Sequence, residues 1–203
     1  MPTYRIRRYY RRPDPRPRGY RGTLEVTDND SGELLARCDL TGRAALTVLT
    51  IIAADGVEWR CTPNRKVLPT QWTVTAVDQV ELQFDARYLS AALNPLSQSV
   101  LSVLDDTGEL LFHVVDPRSS PADRLIGSGP RDWMFMRDDV ALGKITPLRR
   151  PQVEAKGFLS KVRAFLVGSD TGVVSFGPTH VLPAPAALAL VAIHEELADA
   201  STE

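Results

Sequence analysis

Apolar and polar residues alternate over short segments along most of this chain, and turn-forming residues separate one segment from the next. This alternation predicts β-strands that bury one face, and Asp, Asn and Gly between the segments predict hairpin turns. We therefore expect a mainly β protein of about twelve strands. The strands are predicted at Thr23–Thr27, Glu33–Cys38, Ala44–Ala53, Val57–Cys61, Gln71–Val77, Gln79–Phe84, Ser99–Leu104, Glu109–Val115, Arg131–Arg137, Val140–Thr146, Gly157–Gly168 and Val173–Phe176.

The clearest helix is predicted near the C-terminus, over about residues 184–199. Its first ten residues are apolar on every side, which is typical of a helix buried in a core or a bilayer. The apolar run ends at His194-Glu195-Glu196 and is shorter than the roughly 20 apolar residues that span a membrane. We therefore expect the strands to close into a barrel around this central helix, which leaves the barrel at its polar end. The core side chains of the helix are predicted to be Leu188, Leu190, Val191, Ile193 and Leu197.

A repeated sequence indicates two similar halves in the sheet. Asp30–Leu35 (D-S-G-E-L-L) returns 76 residues later as Asp106–Leu111 (D-T-G-E-L-L), and a weaker third copy predicts a turn at Ser169–Gly172. Asp enters a turn through its side-chain oxygen and Gly adopts positive φ without strain, so the repeat predicts hairpins and not a catalytic loop. A short helix is also predicted over Asp85–Leu93, with its first residue as the N-cap.

This order of strands, repeated hairpins and an apolar terminal helix resembles the tubby C-terminal-like fold, which tubby proteins, phospholipid scramblases and the LURP-one-related family share. Ser102–Val114 looks like the V-x-D-x-x-G-x-L-L-F-x-V hairpin of the LURP-one-related and scramblase-like members. Asp132–Ile145 is similar to the hairpin that follows it, and Ala186–Leu197 is similar to the central helix. The resemblance covers about residues 20–200 and implies a twelve-stranded barrel closed around one central hydrophobic helix.

The chain departs from the scramblases just before the terminal helix. Scramblases carry an acidic, calcium-loop-like segment there, whereas Ser169–Gly177 contains a single Asp. A calcium loop places oxygen ligands at alternating positions over about 12 residues. The resemblance to scramblases therefore does not imply calcium-driven lipid transport for this chain. The Lys and Arg residues with which tubby proteins bind phosphoinositides cannot be matched to particular residues here.

Length and composition are those of a globular protein. The chain has 203 residues, of which 43% are hydrophobic, and no apolar run is long enough for a membrane-spanning helix. The N-terminus is positively charged but lacks the apolar segment of a signal peptide, so a cytoplasmic location is expected. Cys38 and Cys61 each lie within a predicted strand and are expected to be buried free thiols.

Charge is distributed unevenly along the chain, although the net charge is −1. Residues 1–22 contain eight arginines and one acid, Asp14, so this segment carries +7 and the remainder −8. We therefore divide the chain into a basic, Arg- and Tyr-rich arm (1–22) and a barrel domain (23–203). Within the arm, Tyr4–Arg12 partly alternates and could form an edge strand before Pro13. The candidate residues for binding an anionic ligand are Arg5, Arg7, Arg8, Arg11, Arg12, Arg16, Arg18 and Arg21.

The basic arm suits several partners. Anionic lipid headgroups, an acidic protein and, less favoured, nucleic acid all attract such a segment. The arm could equally fold back on the acidic remainder of the chain. Glu195 and Glu196 are candidates to pair with it, because carboxylates are disfavoured at a helix C-terminus. Lipid binding would imply a location at the membrane periphery.

No motif indicates an enzyme, a metal site or a cofactor. Gly127–Pro130 (G-S-G-P) lacks the preceding strand and following helix of a nucleophile elbow, and the Asp pairs at 105–106 and 138–139 are predicted turns. The three histidines lack metal-ligand spacing: His113, His180 and His194. The three tryptophans are expected in the core or the barrel wall: Trp59, Trp72 and Trp133. The sequence thus predicts a non-enzymatic tubby-like binding module, with a protein-interaction or regulatory domain as the alternative.

Overall fold

The computed structural model describes residues 2–9, 18–67, 69–86, 99–115, 132–149, 169–178 and 181–200. Over these residues the chain forms twelve strands and a C-terminal helix, and the strands close into one antiparallel barrel. The predicted mainly β barrel with a C-terminal helix is thus confirmed. The elements are β1 Thr3–Tyr9, β2 Gly22–Asp28, β3 Leu34–Leu40, β4 Leu49–Ala53, β5 Glu58–Pro63, β6 Gln71–Ala76, β7 Gln79–Asp85, β8 Ser99–Asp105, β9 Leu110–Val115, β10 Trp133–Arg137, β11 Val140–Arg149, β12 Ser169–Phe176 and α1 Ala184–Ala200.

The first strand closes the barrel. Every strand pairs with the next one along the chain, and β1 pairs with β2 on one side and with β12 on the other. The strand predicted over Tyr4–Arg12 is present as β1, but it is not an edge strand, because a closed barrel has no edge. Part of the predicted arm of residues 1–22, namely Thr3–Tyr9, therefore belongs to the barrel wall.

Side chains alternate between the inside and the outside of the barrel. In β1, Ile6 is fully buried, whereas Arg5 and Arg7 lie on the outer face. The helix α1 is at most 1% exposed at every residue from Ala186 to Ile193, so the barrel encloses it on all sides. The five predicted core residues of the helix are at most 5% exposed. The largest fully buried side chains are Trp72, Phe84, Phe112, Phe135, Phe176, Ile6, Leu24, Ile51, Leu101, Ile145, Leu188 and Leu190.

The two repeated hairpin turns are held by the Asp that ends the strand. In the first, Oδ1 of Asp28 accepts hydrogen bonds from the backbone N–H groups of Asp30 (2.9 Å) and Ser31 (2.8 Å). In the second, Oδ1 of Asp105 accepts hydrogen bonds from the backbone N–H (2.9 Å) and the hydroxyl (2.7 Å) of Thr107. The bond from Ser31 and the hydroxyl of Thr107 are the main causes that lower the pKa of the two carboxyls.

Some predicted elements differ from the structure. Ala44–Ala53 is predicted as one strand, but β4 begins only at Leu49. Ser169–Gly172 is predicted as a turn but belongs to β12, because it pairs with β1. The first residue of the predicted helix Asp85–Leu93 is the last residue of β7. The rest of that segment, beyond residue 86, and the predicted strand Gly157–Gly168 lie outside the described residues.

Gly143 allows β11 to approach its neighbours closely. A Cβ at this position would collide with the carbonyl oxygen of Ser175 and lie 2.8 Å from the ring of Phe135. That ring stacks on Phe176, with 5.2 Å between the centroids. The missing side chain therefore makes room for an aromatic pair in the core.

Candidate functional site

The two ends of the barrel differ in the connections between strands. At one end, which we call the hairpin end, five short turns join the strands; taken together with Asp28 and Asp105, which end β2 and β8, they comprise residues 28–33, 54–57, 77–78, 105–109 and 138–139. At the other, which we call the loop end, six longer segments join them: 10–21, 41–48, 64–70, 86–98, 116–132 and 150–168. The helix α1 starts near the hairpin end, where the hydroxyl of Tyr4 donates to the carbonyl of Leu182 (3.1 Å), and finishes at the loop end.

The connections at the two ends carry opposite charges. The five hairpin turns contain ten Asp and Glu residues and no Lys or Arg. The six loop-end segments contain 16 of the 24 Lys and Arg residues but only five of the 25 Asp and Glu residues. The formal charge is thus −10 over the hairpin turns and +11 over the loop-end segments, a separation that the net charge of −1 conceals.

Cations from three successive connections meet around one side of the loop end. Those in the described part of the chain are all exposed: Arg18, Arg21, Arg43, Arg65 and Lys66. Two apolar side chains share this surface, since Val67 is 74% exposed and Val48 is 50% exposed. Sequence reasoning singles out only the first two of these cations, because the other three come beside them only through the pairing of neighbouring strands from β2 to β5. The sequence nevertheless contains a pattern that could have indicated this surface. Short turns whose charged residues are Asp and Glu alternate along the chain with longer connections whose charged residues are mostly Arg and Lys.

Glu196 ties the end of α1 to two of these connections. Its carboxylate accepts hydrogen bonds from the backbone N–H groups of Ala44 (2.8 Å) and Ala45 (3.0 Å). Its Oε1 also lies 3.7 Å from Nη1 of Arg21, so the predicted pairing of the acidic helix end with the arm is found here. The indole N–H of Trp72 donates to the carbonyl of Ala45 (2.9 Å). These tertiary bonds explain why the start of the predicted strand Ala44–Ala53 lies outside the sheet.

The structure does not bring the eight candidate arginines together. Three lie in the wall strand β1: Arg5, Arg7 and Arg8. Arg5 donates to the side-chain oxygen of Asn29 near the hairpin end (3.1 Å), and Arg8 has a buried Nε without a hydrogen-bond partner among the described residues. Two lie at the loop end: Arg18 and Arg21. Three lie outside the described residues: Arg11, Arg12 and Arg16.

The helix stays buried beyond its predicted polar exit. His194 is 1% exposed, and its ring packs edge-on against Trp133 with 4.5 Å between the centroids. The prediction that the helix leaves the barrel at His194 is therefore wrong by one residue, and the exit begins at Glu195. His180 lies outside the described residues. Within the described ranges, no group of three or more His, Cys, Asp or Glu residues is arranged to hold a metal ion.

Ser102 and His113 form the arrangement nearest to a catalytic pair. Oγ of Ser102 lies 2.9 Å from Nδ1 of His113 across β8 and β9, and Asp85 of β7 is opposite Ser102 in register. A nucleophile must reach its substrate, but Ser102 is only 3% exposed. We therefore interpret the pair as a hydrogen bond that satisfies a buried hydroxyl.

Cys38 and Cys61 are free and buried in the core, as predicted. Burial raises the pKa of Cys38 to about 12, and the nearby charge of Asp39 adds to the effect. Burial also raises the pKa of Cys61, with a smaller effect from Cys38. Both thiols therefore stay protonated at neutral pH and are poor nucleophiles.

These observations leave the loop end as the candidate functional surface, which we define by its exposed residues in the described part of the chain: Arg18, Arg21, Arg43, Val48, Arg65, Lys66 and Val67. In that same part of the chain, no helix combines the length and the apolar character needed to cross a bilayer. Comparisons of the chain with protein-family models, with curated proteins and with solved structures found no match.

Proposed function

We propose that this protein is a non-enzymatic, tubby-like binding module that contacts anionic lipid headgroups with the loop end of its barrel. The observation that carries the proposal is the separation of charge, with +11 over the loop-end segments and −10 over the hairpin turns. The closed twelve-stranded barrel around a buried C-terminal helix supports the tubby-like assignment, because the resemblance implies that architecture. The proposed location is cytoplasmic, at the periphery of a membrane.

Separated charge orients the molecule at an anionic surface. Each Lys or Arg near such a surface contributes about 1 kcal/mol, and the attraction fades over a Debye length of roughly 8 Å at physiological salt. A seven-residue strand such as β1 is about 23 Å long, so the carboxylates of the hairpin end lie beyond that length when the loop end faces the lipid. The opposite orientation brings a surface of net negative charge to the lipid and is repelled, because the ten acids of the turns outnumber nearby cations such as Arg5 and Arg137.

The connection 10–21 adds the largest share of positive charge to this surface, with five arginines and one acid. Its last residues are fixed on the barrel rim, since Tyr20 is 7% exposed and the backbone N–H of Arg21 donates to the carbonyl of Leu40 (2.8 Å). Arg18 and Arg21 therefore lie at the same rim as the other described cations of the loop end. Arg11, Arg12 and Arg16 precede them in the same connection of the chain, which is why they are chosen for the test.

Sedimentation with lipid vesicles tests the proposal. We expect the wild-type protein to pellet with vesicles that contain phosphatidylserine, to pellet less as salt rises, and to remain in solution with pure phosphatidylcholine. The test variant Arg11→Ala/Arg12→Ala/Arg16→Ala should lose most of this binding. The control Arg7→Ala/Arg37→Ala/Arg60→Ala removes the same charge from the barrel wall and should keep it.

Three outcomes would overturn the proposal. The first is wild-type protein that does not pellet with anionic vesicles, and the second is equal pelleting of the test variant and the wild type. The third is a control variant that loses as much binding as the test variant, because the orientation would then have no role. If the protein does not bind vesicles but an acidic protein co-purifies with it, the ligand is a protein. If it does not bind vesicles but shifts the mobility of a nucleic acid with a steep dependence on salt, the ligand is a nucleic acid.

A further inference from the structure

We propose that Arg65, Lys66 and Val67, in the connection from β5 to β6, insert into the interface of an anionic bilayer with Val67 as the apolar anchor. This inference rests on the proposed function and assigns one inserting residue to the loop end. The tip of the segment reads Arg65-Lys66-Val67, and all three residues are exposed. Val67 is 74% exposed, although a Val side chain usually contributes to stability through burial.

The chemistry of this tip fits a lipid interface. An interfacial segment combines cations, which reach the phosphates of the headgroups, with an apolar side chain, which enters the boundary with the acyl chains. Arg65 and Lys66 supply the cations directly beside Val67. A single exposed Val is common on protein surfaces, so the two adjacent cations, and not the exposure of Val67 alone, favour a lipid interface for this tip.

Hydrogen bonds hold the base of this connection together. The side-chain oxygen of Asn64 accepts hydrogen bonds from the backbone N–H groups of Thr70 (3.2 Å) and Gln71 (3.3 Å), and the backbone N–H of Asn64 donates to the carbonyl of Gln71 (2.8 Å). Pro69 is buried. These contacts close the base of the loop below its tip. A loop whose base is already closed loses less conformational entropy on insertion than a loop with a free base.

The neighbouring connection provides a second apolar contact. Val48 is 50% exposed and precedes Leu49, which pairs with Cys61, two residues before the end of β5. Arg43 of the same connection is exposed. Val48 and Val67 therefore lie on adjacent connections at one side of the rim, each with a cation of its own connection.

Val140, an exposed valine at the hairpin end, has carboxylates and not cations beside it in the sequence. Val140 is 58% exposed, but it directly follows Asp138 and Asp139. Carboxylates beside it repel an anionic surface, so Val140 is not expected to insert. It serves as the matched control for Val67.

An environment-sensitive fluorophore tests the insertion. We would label Val67→Cys or Val140→Cys with a nitrobenzoxadiazole group, which reacts with the new thiol because Cys38 and Cys61 are buried. With phosphatidylserine-containing vesicles, the probe at position 67 should brighten, shift to the blue and be quenched by a nitroxide near the top of the acyl chain. The probe at position 140 should show none of these changes.

A second variant measures the contribution of the anchor. Val67→Asp should weaken binding to the same vesicles about tenfold or more, from the loss of apolar burial and from repulsion. Val140→Asp should leave the affinity unchanged. Both substitutions lie on the surface, and circular dichroism should confirm that both variants fold.

The outcomes separate the insertion from the proposed function. If wild-type protein binds anionic vesicles while the probe at position 67 is silent and Val67→Asp binds normally, the insertion is wrong and the lipid-binding function stands. If wild-type protein does not bind these vesicles, the proposed lipid-binding function and the proposed insertion are both wrong. A probe response that needs no vesicles and grows with protein concentration would identify a second copy of the chain as the covering surface and would overturn the insertion.

Discussion

Glu196 and Arg21 form an ion pair at the loop end, with 3.7 Å between Oε1 and Nη1. The pair joins the last part of α1 to the residue that precedes β2. The same carboxylate accepts two backbone hydrogen bonds from Ala44 and Ala45. A carboxylate near a helix C-terminus is disfavoured by the helix dipole, and these three contacts offset that penalty. The side chain thus links the central helix to two connections of the barrel.

Glu196→Ala is expected to lower the free energy of unfolding by about 2 kcal/mol, because two backbone N–H groups lose their acceptor. Arg21→Ala removes only the exposed ion pair and should cost less than about 1 kcal/mol. Urea denaturation followed by circular dichroism measures both values. Equal losses in the two variants would show that the ion pair, and not the backbone hydrogen bonds, makes the contact stable.

Ile193→Asp is expected to abolish folding. Ile193 is fully buried within the barrel, and an aspartate there would be a charge without a partner in an apolar core. Val140→Asp introduces the same charge at a position that is 58% exposed and should change the stability by no more than about 0.5 kcal/mol. Soluble Ile193→Asp protein that unfolds cooperatively near the wild-type denaturant concentration would contradict the central position of the helix.

The order of elements could be predicted from local patterns, because each pattern has a local cause. Ile6 and Leu24 alternate with polar neighbours in their strands, and the run from Ala186 to Ile193 is apolar on every side of a helix. Both patterns depend on residues a few positions apart. Barrel closure, however, depends on pairing between β1 and β12, which are far apart in the sequence. Because of this pairing, Thr3–Tyr9 is not an edge strand, and Ser169–Gly172 is part of a strand and not a turn.

The candidate site required contacts that are distant in sequence. Ala44 leaves the predicted strand because Glu196, 152 positions away, accepts its N–H. Arg43 and Lys66 join the arginines of the arm at one rim only because their strands are neighbours in the barrel. The count of charges in the connections could be made from the sequence, but their assignment to opposite ends needed the strand order.

Replacing Val77-Asp78 with Asn-Gly is expected to stabilise the protein by about 1 kcal/mol. These residues form the two-residue turn between β6 and β7 with φ of 50° and 62°, a conformation that disfavours a β-branched side chain and that Asn-Gly adopts readily. Val77 is 76% exposed, so its replacement removes little packing. Thermal unfolding measures the gain. The control Val140→Asn changes an exposed valine outside any positive-φ position, and an equal gain there would contradict the explanation by backbone strain.

Alkaline pH is expected to destabilise the fold through the two buried thiols. The pKa of Cys38 rises from 9.0 to about 12 in the folded state, chiefly through burial. A raised pKa in the folded state means that the thiol contributes stability that is fully present below pH 9 and is lost as the pH rises toward 12. The loss should approach 1.4 kcal/mol per pH unit for this thiol, and burial of Cys61 should add a further loss of the same sign.

Comparison with Cys38→Ala/Cys61→Ala isolates this effect, since tyrosines and lysines titrate in both proteins. The free energy of unfolding of the double variant should fall less steeply between pH 9 and pH 11 than that of the wild type. The native thiols should also resist Ellman's reagent at pH 8 and react completely once the protein is unfolded in urea, because both are buried. If the free energy of unfolding falls equally steeply with pH in the wild type and the double variant, or if either thiol reacts rapidly in the native protein, the barrel does not protect its interior from solvent.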